Sequence, residues 1–137
     1  RGLRTLDVRL EKHEKNTKEI IKFLLKQKKI KEILYPHKKG TKNYKNWKKY
    51  YSGATGLLSL VIKSKSKSSV FKFVNSLELF GIGYSWGGFE SLAVYQDIQR
   101  EFNKYKDKNL HIVRLHIGLE DPKDLIADIK KSLSYIK

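Results

Sequence analysis

A chain of 137 residues, 39% hydrophobic and 12% aromatic, has material for one domain with a sizeable core, which argues against disorder. It has no cysteine, which excludes disulfides and thiolate metal sites, and its longest apolar run, residues 56–62, is too short to span a bilayer, so a cytoplasmic setting with no membrane role is expected. The formal net charge of +16 raises the prospect of a polyanion partner, but only five of the 30 basic residues are arginines, and scattered lysines read as solvated surface, so no nucleic-acid partner is expected.

Leu6, Leu10, His13, Thr17, Ile20 or Ile21, and Leu24 recur at helical spacing between charged positions. They predict a long amphipathic helix ending near Lys28, its last lysines well placed at the negative end of the dipole. His13 lies on the apolar stripe, where a hydrogen-bonded core histidine is the expected reading. Residues 30–35 read as a short strand stopped by Pro36, residues 37–51 as a lysine-rich aromatic loop, residues 52–56 as a turn and residues 57–62 as a buried strand. The Lys-Ser repeat at 63–68 reads as a solvated turn whose last serine caps a helix built on Val70, Phe73, Val74 and Leu77, ending near Phe80 and Gly81.

Residues 81–92 hold four of the nine glycines, so backbone approaches something closely there. Their spacing fits neither a dinucleotide fingerprint nor a phosphate loop, and two strands joined by a glycine turn are the plain alternative. Residues 96–104 read as a short helix and 107–109 as a turn. Residues 111–117 form a strand in which Val113, Leu115 and Ile117 face one way and Ile112, Arg114 and His116 the other. Asp121 and Pro122 open a last helix as cap and first residue, with Leu125, Ile126, Ile129, Leu133 and Ile136 as its buried stripe. The sum predicts an α+β fold, a two-layer sandwich whose mostly antiparallel sheet of about four or five strands is covered by helices, in a single domain over residues 1–137.

Arg114, set among apolar neighbours, needs an anion to offset its desolvation. Its planar fork suits a carboxylate or phosphate held by two bonds, although a solvated face or an internal ion pair would satisfy it as well. No Gly-x-Ser-x-Gly elbow is present, His13, His37, His111 and His116 lack zinc spacing, and Glu120 and Asp121 stand where dipole and cap roles account for acidic residues. Residue chemistry alone reaches an anion-binding α+β domain.

Six blocks in one order carry a resemblance: Arg-Gly-Leu-Arg-Thr-Leu at 1–6, Arg9 with His13, Tyr35-Pro36, Gly-Ala-Thr-Gly at 53–56, Ser-Trp-Gly-Gly-Phe-Glu-Ser-Leu at 85–92 and Arg-Leu-His-Ile-Gly-Leu-Glu-Asp at 114–121. Together they resemble the C-terminal third of the pyridoxal-phosphate transsulfuration enzymes. Trp86 and the wording at 114–121 are most similar to the cystathionine beta-lyase branch, since the gamma-acting relatives, cystathionine gamma-synthase and gamma-lyase, usually show leucine and serine at the places of Trp86 and His116. A gamma-acting enzyme is the alternative within the family, and a basic nucleic-acid-binding module the alternative outside it.

The resemblance implies the C-terminal domain of a fold-type-I, homotetrameric lyase of methionine biosynthesis that cleaves cystathionine to homocysteine, pyruvate and ammonia with pyridoxal 5'-phosphate. It implies that Arg114 binds the α-carboxylate of an amino-acid substrate, helped by Ser85 and the backbone at Trp86. The family's cofactor-bearing lysine, phosphate-binding hydroxyls, pyridine-nitrogen aspartate and ring-stacking tyrosine belong to the larger domain upstream, so no catalytic, cofactor-binding or metal-binding residue is expected in this chain. Lys42, in a Thr41-Lys42 pair after the first block, is a decoy. Methionine is absent even at the first position, so the chain is expected to be a piece of a longer protein and inactive alone.

Overall fold

The computed structural model describes residues 2–97 and 107–137. A short 3-10 turn, Leu3–Thr5, leads into α1 (Leu6–Leu24), and β1 (Ile30–Leu34), α2 (Lys42–Tyr50), β2 (Leu57–Lys63), α3 (Lys67–Asn75), β3 (Gly81–Ile82), β4 (Leu92–Gln96), β5 (Leu110–His116) and α4 (Pro122–Leu133) follow. The strands form one sheet in the order β1-β2-β5-β4-β3. β5, the last strand in the chain, therefore sits at its centre.

The alternation on β5 is as the sequence requires. Val113 and Leu115 join Leu58, Leu60, Ile62 and Ala93 in a core closed by Ile20 and Leu24 of α1, Val70 and Phe73 of α3, and Leu125 and Ile129 of α4. This is the α+β two-layer arrangement, with one sheet face under three helices. The register fixes the other face: Arg114 lies between Ser59 of β2 and Val94 of β4, and His116 between Leu57 and Leu92.

The sheet is mixed. Its β1–β2, β2–β5 and β5–β4 pairs are antiparallel, but β3 pairs with β4 in parallel, so residues 81–92 are not the hairpin that their glycines suggested. A parallel pair cannot be joined by a tight turn. Residues 83–91 must return to the end where β3 began, and they do so as an arm that meets Arg114 and His116 on the sheet's other face.

Four element boundaries depart from expectation. Residues 37–51 contain the helix α2, not only loop. Tyr44, Trp47 and Tyr51 recur at i, i+3 and i+7, and Trp47 anchors the face by stacking on His37 at 3.9 Å and donating through Nε1 to Gly53 O at 2.9 Å. α1 stops at Leu24, where Lys26 and Gln27 turn their amides to carbonyls three residues back, and Lys29 Nζ donates instead to Leu133 O at the end of α4 and Ile136 O beyond it. α3 stops at Asn75, because the amides of Glu78 and Leu79 go to the buried Asp128 carboxylate. The cap of α3 is Ser66, one repeat earlier than expected, accepting from Ser69 N. The expected helix at 96–104 lies outside the described residues from 98 onward, and Gln96 itself ends β4. Asp121 and Pro122 open α4 as the sequence predicts, the carboxylate accepting from Lys123 N at 2.8 Å.

Candidate functional site

Arg114 points away from the core packed under α1, α3 and α4, from the middle of β5. It lines a cavity of about 460 Å³ with Leu57 and Ser59 of β2, Tyr35 and Pro36 after β1, and Trp47 of α2. Its Nη2 donates to Gly83 O over a long 3.5 Å, and its guanidinium lies 5.4 Å from the centre of the Tyr84 ring. Among the described residues no carboxylate lies within ion-pair distance of it. The internal-ion-pair reading therefore has no partner there. A half-buried fork with one weak carbonyl contact retains donors for a planar acid.

The arm over this face is held at its Ser91 end and in its middle. At its far end Glu120 accepts from Ser91 N and Ser91 Oγ, both at 2.8 Å, while Ser91 Oγ accepts from Gly118 N at 2.8 Å. Asn16 of α1 ties the same corner by donating to Gly118 O at 3.0 Å and Glu120 O at 2.9 Å. A Cβ on Gly118 would overlap Phe89 O and the Glu120 carboxylate, which explains glycine at that position. Glu120 thus closes the arm, while Asp121 alone serves as the helix cap.

In the middle of the arm, Gly87 adopts φ +81°, a conformation that costs a side chain strain, and its N–H donates to His116 Nε2 at 3.1 Å. An imidazole nitrogen that accepts a hydrogen bond carries no proton. Burial pulls His116 below its usual pKa, with His13 and Arg114 adding to that pull and the Gly88 carbonyl and Glu120 opposing it. His37, on the cavity wall, is likewise lowered by burial despite Glu14 at 3.4 Å.

Ser85 and Trp86 lie on the exposed part of this arm, directly after Tyr84. The structure brings their segment to Arg114 through Gly83 and Tyr84, and among the described residues no hydrogen bond joins Ser85 or Trp86 to the guanidinium. Sequence reasoning missed Tyr84 as the ring against Arg114 and His116 as the support of Gly87. The placement of His116 and Arg114 on one strand face was the available signal.

The central strand thus offers one half-buried guanidinium, without an acidic partner among the described residues, under a glycine-turned arm. The chain belongs to the Cys/Met metabolism PLP-dependent enzyme family, whose model matches residues 1–134. It is 34% identical to the cystathionine beta-lyase of Escherichia coli over 99% of this chain and 36% of that protein. It is 37% identical to an L-alanine/L-glutamate racemase of Wolbachia pipientis over 98% of this chain and 34% of that protein. Among solved structures, cystathionine gamma synthase from Xanthomonas oryzae superposes with a TM-score of 0.85 at 26% identity, covering 98% of this chain and 36% of that one. The chain thus spans about a third of the length of the relatives it matches.

The family's cofactor is pyridoxal phosphate, which supplies an electron sink to a substrate α-carbon. Among the described residues, those lining the Arg114 cavity include no lysine that could carry it, whereas the guanidinium fits the acid end of an amino acid. No described helix is long and apolar enough to cross a membrane.

Proposed function

We propose that residues 1–137 form the C-terminal, substrate-carboxylate-binding domain of a cystathionine beta-lyase that acts in the cytoplasm as a homotetramer. The observation that carries this reading is the half-buried Arg114 fork, which no described carboxylate occupies. In the assembled enzyme Arg114 receives the substrate's α-carboxylate through two parallel charge-assisted bonds. Ser85 and the Trp86 backbone close over that carboxylate from the arm, and Tyr84 holds the guanidinium against the sheet.

The residues of this chain bind and orient, while the cofactor-bearing lysine lies in the larger domain. The chain alone therefore has no lyase activity. Trp86 together with His116 favours beta- over gamma-elimination, because the gamma-acting relatives usually differ at both places.

The reading is tested in the full-length parent by steady-state kinetics and thermal unfolding of Arg114→Ala and Arg114→Lys. The expected outcome is lost kcat/KM with an unchanged melting temperature, and only partial recovery in the lysine variant, whose point charge cannot copy the fork. Wild-type kcat/KM in Arg114→Ala would end the assignment. Cystathionine and an alanine or glutamate enantiomer, offered side by side, separate the lyase from a racemase.

A further inference from the structure

His116 is 2% exposed, and its ring is walled on two sides. On one side stands Gly56, where a Cβ would overlap both the ring and Ile117 O. On the other lies the His13 ring, 4.9 Å away and itself fixed by donating through Nδ1 to Ile117 O at 2.7 Å. His116 Nδ1 has no hydrogen-bond partner among the described residues, so the ring's polar contacts run through Nε2. Nε2 meets two groups of opposite kind on the arm: the Gly87 amide, which only donates, at 3.1 Å, and the Gly88 carbonyl, which only accepts, at 3.4 Å. One nitrogen cannot serve both. Without a proton it takes the Gly87 N–H, whereas with one it repels that N–H and donates to Gly88 O. A ring held between Gly56 and His13 cannot turn aside, so a proton changes the contact itself.

We propose that His116 is a positioning residue: its neutral ring holds the Gly87 turn, and with it residues 83–86, over Arg114, and a proton on Nε2 releases that turn and weakens anion binding at Arg114. The held segment reaches Arg114 directly, through Gly83 O and the Tyr84 ring. Gly87, at φ +81°, is where the backbone reverses its sense, so losing its N–H contact loosens the point on which the turn is set. Burial keeps the neutral form dominant above about pH 6.5, which puts the release on the acid side. The titratable and charged groups facing His116 are Arg9 and His13 of α1, Arg114 on its own strand and Glu120 after it. Its neighbours across the sheet, Leu57 and Leu92, carry no charge, and Glu90 of the arm is exposed. An added positive charge by itself would draw an anion in, whereas a released turn lets it go, so the sign of the pH effect tells the two apart. The consequence for substrate rests on the carboxylate role proposed above for Arg114 and the arm.

The test uses the full-length holoenzyme and two variants: His116→Gln, whose side-chain carbonyl can accept from Gly87 but takes no proton, and His116→Leu, which cannot accept. As pH falls from about 7.5 to about 5, KM should rise on the order of tenfold more in the wild type than in His116→Gln, with kcat changing alike in both. His116→Leu should show a KM raised several-fold even at about pH 7.5, with kcat nearly unchanged. Hydrogen exchange across 83–91, read by mass spectrometry, should be on the order of tenfold faster in the wild type than in His116→Gln at about pH 5, and equal at about pH 7.5. Equal exchange in the two at acid pH overturns the proposal, whether or not His116→Leu folds and even where Arg114→Ala abolishes activity. Where Arg114→Ala does abolish activity, a wild-type KM that falls with pH, or runs parallel to that of His116→Gln, overturns it as well. Faster arm exchange confined to the wild type at acid pH, together with normal kinetics in Arg114→Ala, would instead uphold the hold on the arm and remove the carboxylate reading.

Discussion

Val113 and Leu115 on β5 are wholly buried against the helices, whereas Arg114 and His116, alternating with them, meet the 83–91 arm on the opposite side. The backbone positions are equivalent, and every residue in this run is paired with both β2 and β4. What differs is the far side of each face. Three packed helices leave the first face only apolar surface to touch, so its residues contribute folding energy. The second face meets an arm whose backbone groups and open cavity give polar side chains something to hold. A strand's period of two thus sets wholly buried apolar side chains and polar ones on opposite faces of a single element.

The sharpest way to break that division is to truncate one residue from each face. Arg114→Ala in the full-length parent should lower kcat/KM by roughly 30-fold to several thousandfold, the equivalent of about 2 to 5 kcal/mol for one partner lost from a desolvated charge pair, with the thermal midpoint unmoved. Leu115→Ala in the chain should do the opposite. It should cost about 2 to 5 kcal/mol in a urea titration, by lost transfer energy and the cavity left behind, while the parent that remains folded keeps its kcat/KM. A reversal of the two outcomes would mean that Arg114 is a structural residue.

Ser91→Ala sharpens the comparison at the hinge of the arm. It leaves the Gly118 amide without its acceptor and removes one of the two bonds to Glu120, so about 1 to 3 kcal/mol should be lost from global stability. Amide exchange across 83–91 should rise more than exchange within β2 or β5. Uniform acceleration over both would mean that the arm unfolds only with the core.

The smallest effect concerns pH. His116 has a folded-state pKa held below its ordinary 6.5, chiefly by burial, so the folded chain binds a proton there less readily than the unfolded one. Its contribution is complete above about pH 6.5 and falls away as pH drops through the lowered value. His37, also lowered, acts in the same direction. Denaturant midpoints measured from pH 7.5 downward should therefore decline less in His116→Gln than in the wild-type chain, and parallel curves would show that His116 does not titrate against folding.

Much of this was legible in the residues themselves. The stripe from His13 to Leu24, the alternation through Arg114, and the Asp121-Pro122 start of α4 are local patterns, set by helix and strand periods and by capping chemistry, whereas Leu6 and Leu10 of the same stripe stay exposed. The isolation of Arg114 among apolar neighbours was equally local. The tertiary structure decided what depends on partners distant in sequence. α2 had no aliphatic stripe to announce it and is secured by Trp47 reaching Gly53 and His37. Glu120 looked like a helix-dipole residue until Ser91, 29 positions away, occupied both its oxygens. β3 pairs in parallel with β4, which turned a supposed hairpin into an arm. His116 reads as one more strand residue, and only the fold, by bringing Gly87 to one nitrogen and His13 beside the ring, makes it the support of that arm. Periodicity and capping are written in neighbouring residues, whereas a hydrogen bond closed across the sheet depends on where the whole chain has brought its two ends.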